Sequence, residues 1–271
     1  MITTGVIGAQ WRATVTPWGG IEPNDGTPTL QWHIAADDRW HSPEHEPAVR
    51  QTRIEGTAVV ETRVRIPDGD AIQRVWSVPD HGGLTVIEIE NASPVAIAVA
   101  FTRGDLWSVR PAASPIEGIA LPEGSIAFPV GHKATLTVAL SHQASGPSAL
   151  PALPSMASVV QGWTTVTERS GRQVLPDVTL SERLTAERCE VALRGAPTGD
   201  SVAALIAYGL MARMGEAAAD LVPLVAAEIE RAAKRADRDW TLHAALDGGI
   251  GEFEGVDDII VKILLRVRHG F

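Results

Sequence analysis

From Thr57 to Ile66 the chain reads TAVVETRVRI. Val60, Thr62, Val64 and Ile66 fall on one side of a period-two pattern, and Glu61, Arg63 and Arg65 on the other. That alternation predicts a half-buried strand. Pro67, Asp68 and Gly69 supply turn chemistry, and Ala71 to Val78 reads as the returning strand. After a second turn, Asp80 to Gly83, LTVIEIE runs to Asn91; NASP then turns the chain into VAIAVAFT. Val95, Ile97, Val99 and Phe101 share one face of that last strand and Ala96, Ala98 and Ala100 the other. A strand apolar on both faces is expected to be covered on both. SIAFPV and ATLTVAL add two more strands. Short strands at regular spacing with Gly, Pro and Asp between them predict an antiparallel sandwich.

The pattern changes after Leu140. SHQASGPSALPALPS is rich in Ser, Pro and Ala and reads as a linker. Beyond it the apolar period is helical. MASVVQGWTTVTER spaces Val159, Trp163 and Val166 along one face. TLSERLTAERCEVALRG opens with Thr179 and Glu182 at capping-box spacing and closes with Gly195. DSVAALIAYGLMARMG has Asp200 as N-cap and Gly215 as the C′ glycine. DLVPLVAAEIERAAKRA places Pro223 in a first turn, and VDDIIVKILLRVRHG reads as a final amphipathic helix. The fold class predicted is α+β. A supersandwich-like antiparallel β-sandwich occupies residues 1–142, a linker 143–155 and an α-hairpin bundle 156–271.

The strand-pair text VVETRVRIPDGDAIQRVWSV, followed by LTVIEIENASPVAIAVAF, resembles the N-terminal supersandwich of six-hairpin glycosidases, the glucoamylase-like and trehalase-like enzymes. The likeness covers roughly Trp11 to His142 and rests on strand pattern and turn dipeptides. It implies a sandwich ahead of an (α/α)6 barrel. A closed barrel needs about twelve helices, and a mean helix is ~11–12 residues before loops. The roughly 115 residues after the linker hold about five. In such enzymes the catalytic acid and base sit on barrel loops across a sugar ring. No motif here carries either role to a numbered residue, so no residue is assigned as catalytic.

Composition narrows the classes further. The formal net charge of -10 argues against nucleic acid and against anionic membrane surfaces, because both need clustered Lys and Arg. The excess of Arg over Lys, with abundant Ala and Val, suggests a GC-rich bacterial source. The single cysteine, Cys189, excludes an intrachain disulfide and a Cys-based zinc site; on an apolar helix face it reads as a buried, inert thiol. MITTGVIGAQWRATV lacks a basic region and an apolar core, so no signal peptide is predicted and the expected location is the cytoplasm. No cofactor and no metal site is expected. Pro43 and Pro47 argue against the helix that would let His41 and His45 ligate together.

Candidate chemistry concentrates in WHIAADDRWHSPEHE, Trp32 to Glu46. It reads by default as a polar loop. As a ligand-contacting rim, Trp18, Trp32 and Trp40 offer flat faces for sugar C–H groups, and Asp37, Asp38, His41 and Glu44 offer polar partners for hydroxyls. Trp76, Trp163 and Trp240 read as core, and Trp107 fits either place. The leading expectation is a non-catalytic accessory or binding protein whose ligand is a carbohydrate, with an oligosaccharide as the expected partner, or a partner chain. An alternative is a sugar-acting enzyme, either a reduced glycosidase relative or a mutarotase-like epimerase using His33 with Asp37 or His41 with Glu44. A third is a scaffold or homo-oligomer, packing on a partner chain through the C-terminal helices, including Ile259, Ile260, Ile263, Leu264 and Val267. RGD at Arg103–Asp105 reads as a charged turn, and GGIGEFEG as a loop outside any βαβ unit.

Overall fold

Thirteen strands and four α-helices form over the described residues of a computed structural model, namely 1–143, 146–169, 171 and 175–235. They are β1 (Ile2–Gly5), β2 (Arg12–Val15), β3 (Ile21–Pro23), β4 (Trp32–Ala35), β5 (Trp40–His41), β6 (Val49–Arg53), β7 (Val60–Ile66), β8 (Gly69–Val78), β9 (Leu84–Asn91), β10 (Ile97–Phe101), β11 (Trp107–Ser108), β12 (Ile126–Val130) and β13 (Thr135–Ser141), then α1 (Met156–Thr167), α2 (Val178–Arg194), α3 (Ser201–Arg213) and α4 (Ala218–Arg235). The protein is α+β, with a sandwich-like N-terminal part and the helices at the C-terminal side. It divides into two compact units, Met1–Trp163 and Thr164–Phe271.

In the first unit the strands pair antiparallel in three sheets. Their orders are β1-β2-β3, β12-β10-β4-β5 and β11-β13-β9-β8-β7-β6. Trp32, Ile34, Val99, Phe101 and Phe128 from the four-stranded sheet share one buried cluster with Val60, Val64, Val75, Ile87, Ile89 and Leu136 from the six-stranded sheet. The small sheet adds Ala13, Val15 and Ile21 to it. Each large side chain buried there contributes roughly 1.5–3 kcal/mol relative to exposure. The alternation of β7 is realised as expected: Val60, Thr62, Val64 and Ile66 are buried, and Arg63 and Arg65 exposed. β10 lies mid-sheet between β12 and β4, with Ala100 buried on the face opposite Val99.

Val95 stands outside β10 because its carbonyl is taken by the turn. Asn91, fully buried, donates from Nδ2 to the carbonyls of Val95, Val130 and Gly131 at 2.7, 3.2 and 3.1 Å. Its Oδ1 accepts from the Ser93 N–H and hydroxyl. One amide thus ties the β9–β10 turn to the β12–β13 turn. A second polar thread runs through Thr4, Ser77, Thr85 and His142 by successive side-chain hydrogen bonds, joining the small sheet to the large one.

The pattern reading undercounts strands in the first 53 residues, where β1 to β6 are two to five residues long. Such short elements leave little periodicity to detect. The proline-rich stretch read as a linker is partly ordered against the sheet: the Ser108 N–H donates to Ser148 O, and the Leu150 N–H to Ser108 O. Trp76, Trp107 and Trp163 are buried.

In the second unit, α2 is capped by Asp177, whose side chain accepts from the Thr179 N–H. This replaces the expected Thr179 cap, because Asp177 begins the helix two residues earlier. Asp200 caps α3 as expected, accepting from the N–H groups of Val202 and Ala203. Gly215 follows α3 at φ +87°. Pro223 lies inside α4 rather than in its first turn. The alanines ahead of Asp220 are strong helix formers and extend the helix N-terminally. Leu205 packs with Leu221, Val225 and Ile229 between α3 and α4, and Cys189 is buried. The expected closing helix, Trp240 and GGIGEFEG lie outside the described residues. No helix among the described residues is long and apolar enough to cross a membrane.

Candidate functional site

The segment Trp32 to Glu46, read as a polar loop, is instead a hairpin of the four-stranded sheet followed by a 3-10 turn, Pro43–His45. The register pairs Ile34 with His41 and Ala35 with Trp40. Four carboxylates concealed the pattern: Asp37 and Asp38 occupy the turn, where their polarity costs nothing.

A recess of ≈ 90 Å³ opens beside this hairpin. Trp18, Gly20, Gln31, Trp32 and His33 line one part of it, and Ser42, Pro43, Glu44 and His45 another. Trp18 is presented by the tight turn TPWGG between β2 and β3. The Gly20 N–H donates to Thr16 Oγ1, and the Gly19 N–H to Thr16 O. Two side chains fasten that turn from below: Gln51 Nε2 donates to Thr16 O at 2.6 Å, and Trp32 Nε1 to Trp18 O at 2.9 Å. Gly19 has φ +86°, and a Cβ there would collide with Gln73 Oε1 and Trp32 Nε1. Only glycine allows this approach.

His33 supplies the recess with its polar centre. Its Nδ1 shares a 3.0 Å hydrogen bond with Ser42 Oγ. Its Nε2 is shut off from solvent and has no hydrogen-bond partner among the described residues. Burial holds the imidazole below its ordinary range; Glu44 pulls it up and His45 pushes it down, and burial wins. His33 is therefore neutral at pH 7. Either tautomer leaves one unmet hydrogen-bonding position, and such a buried atom costs about 1–3 kcal/mol.

His41 is placed differently. Register puts it on the core-facing side with Ile34, and it is 3% exposed. Its Nε2 lies 2.9 Å from Asp38 Oδ1. Its Nδ1 is 3.1 Å from Glu46 Oε1, close enough for an ion pair but out of line for a hydrogen bond. Arg39 grips Glu46 through both terminal nitrogens, at 2.7 and 3.1 Å. That bidentate contact holds the Glu46 carboxyl below the usual carboxylate range, and the His41 hydrogen bond does the same for Asp38. The four side chains form a clasp closing the hairpin edge.

Of the residues expected at a rim, Trp18, Trp32 and Glu44 line the recess. Trp40, Asp37, Asp38 and His41 do not. Trp40 turns away to donate its Nε1–H to Glu117 O at 3.1 Å, and Asp37 is exposed on the turn. The pairs His33/Asp37 and His41/Glu44 are not brought together; His33 meets Ser42, and His41 meets Asp38 and Glu46. Gln31 and Ser42 carried no signal as loop residues, and His45 stood out only for its metal-ligand spacing from His41. A strand reading of Trp32–Ala35 would have set His33 across from Ser42. Among the described residues no group of three or more His, Cys, Asp or Glu side chains is placed to hold a metal ion. The chain matches no family model, no curated protein and no solved structure.

Proposed function

We propose that this protein is a binding module whose recess beside Trp18 takes the edge of a carbohydrate ring. The observation that carries this reading is one recess in which the half-buried indole of Trp18 stands with the exposed side chains of Gln31, Glu44 and His45. The Trp18 indole accepts sugar C–H groups, and the Gln31 amide offers a hydroxyl a hydrogen bond. Glu44 and His45 are exposed at the mouth and supply further hydroxyl partners. The volume matters: pockets that enclose a small molecule are ~300–1,000 Å³, so a recess of ≈ 90 Å³ admits one edge of a ring and leaves the rest outside. That suits recognition along a longer oligosaccharide.

The geometry favours binding over turnover. His41 is buried with its ring nitrogens facing Asp38 and Glu46, and among the described residues no carboxylate hydrogen-bonds His33 to orient it as a general base. Affinity electrophoresis through gels containing soluble polysaccharides tests the reading. Retardation by at least one polysaccharide is expected, with loss in Trp18→Ala and weakening in Glu44→Ala at unchanged thermal midpoint. Equal retardation of wild type and both variants would refute it.

A further inference from the structure

The outer face of the six-stranded sheet carries its charges sorted by sign. Toward the inner strands, Arg74 is surrounded by Glu61, Glu88 and Glu90 at 2.8, 3.2 and 2.7 Å. Toward the β6 edge the sign reverses. Arg50 stands directly opposite Arg63 in the β6–β7 register, and Arg65 follows two residues on. Like charges facing each other across an antiparallel pair destabilise it, and their Cα atoms are only ~4.5–5.5 Å apart. Among the described residues no carboxylate pairs with Arg50. Arg63 uses its Nε on Glu61, and Arg65 reaches Asp70 only at 3.4 Å.

These groups line a concave dish of ≈ 650 Å³ together with Ala48 and Thr52. That volume is in the range of small-molecule sites. In a chain of net charge -10, such a concentration of guanidinium groups is not a by-product of a general basic excess. We infer that Arg50, Arg63 and Arg65 form a binding site for a phosphomonoester group. The lining sets three guanidiniums against the single carboxylate of Asp70, with Glu61 outside the lining engaging Arg63 only through Nε, so terminal N–H groups of all three arginines stay available to an anion. A phosphomonoester brings about −1.5 to −2 at pH 7 with three acceptor oxygens, enough to engage all three, whereas a lone carboxylate brings one charge and two oxygens. The anion relieves the Arg50–Arg63 repulsion by bridging the pair with charge-assisted hydrogen bonds. The site shares no lining residue with the Trp18 recess.

The test is a titration of the full 15N-labelled chain with inorganic phosphate at constant ionic strength, following arginine Nε–H signals. The Arg50, Arg63 and Arg65 signals are expected to move along one saturable curve while that of Arg110 stays still. Arg50→Gln weakens phosphate binding by about tenfold or more. Asp70→Asn, which removes the competing carboxylate, tightens it about two- to fivefold. A linear response shared by all arginines, or an unchanged curve in Arg50→Gln, overturns the site. Tighter saturable binding of galacturonate than of phosphate overturns the assignment of phosphate as its ligand.

Discussion

The indole of Trp11 lies flat on the imidazole of His142, with ring centroids 4.1 Å apart and planes inclined by 16°. His142 Nε2 also shares a 2.8 Å hydrogen bond with Thr85 Oγ1, the end of the buried hydroxyl thread. Burial drops the imidazole to about 4; Asp25 opposes that shift and Arg103 adds to it. The folded value is below the ordinary 6.5, so the folded state resists protonation. The contribution of this contact is complete above pH 6.5 and fades as pH falls toward 4. Each pH unit in that window costs at most about 1.4 kcal/mol, and less because the ring is not wholly enclosed. Urea denaturation at pH 7, 6 and 5 checks this. His142→Gln should flatten the profile; an identical pH slope in that variant would contradict the assignment.

Gly19 is predicted to be irreplaceable. Gly19→Ala places a methyl group on Gln73 and Trp32 at a positive φ. The expected cost is about 2–4 kcal/mol from strain and overpacking together. Gly26, also at positive φ but with nothing within 4 Å, serves as the control. Gly26→Ala should cost about 1 kcal/mol, the backbone cost alone. Equal losses at the two positions would show that the turn has slack.

Asn91→Ala should remove about 2–4 kcal/mol, since three carbonyls lose their side-chain donor and Ser93 loses its acceptor. Asn91→Asp should be no milder, because a carboxylate would then face the carbonyls of Val95, Val130 and Gly131. A loss below 1 kcal/mol for Asn91→Ala, measured by chemical denaturation, would mean the two turns hold without their shared amide.

The central strands were legible because long alternating runs leave one interpretation. Val60 to Ile66 can bury one face only as a strand, and the outer arginines confirm its direction. The Trp32–Glu46 hairpin was not legible. β5 has two residues, His41 breaks the apolar face it belongs to, and its carboxylates look like solvent-exposed loop chemistry. What makes His41 admissible inside is the clasp of Asp38, Glu46 and Arg39, a tertiary arrangement that spacing alone does not encode. Trp18, Trp32 and His33 were found by their residue type. That His33 meets Ser42 and not Asp37 needed the register. The Arg50–Arg63 juxtaposition likewise exists only once β6 is known to pair with β7.

The recess beside Trp18 is tested most directly by titrating the full 15N-labelled chain with a bound oligosaccharide and following the indole Nε1–H signals. The signals of Trp18 and Trp32 should shift together along one saturable curve, and those of the buried Trp76 and Trp107 should remain in place. Saturable binding that leaves the Trp18 and Trp32 signals unmoved would contradict the account.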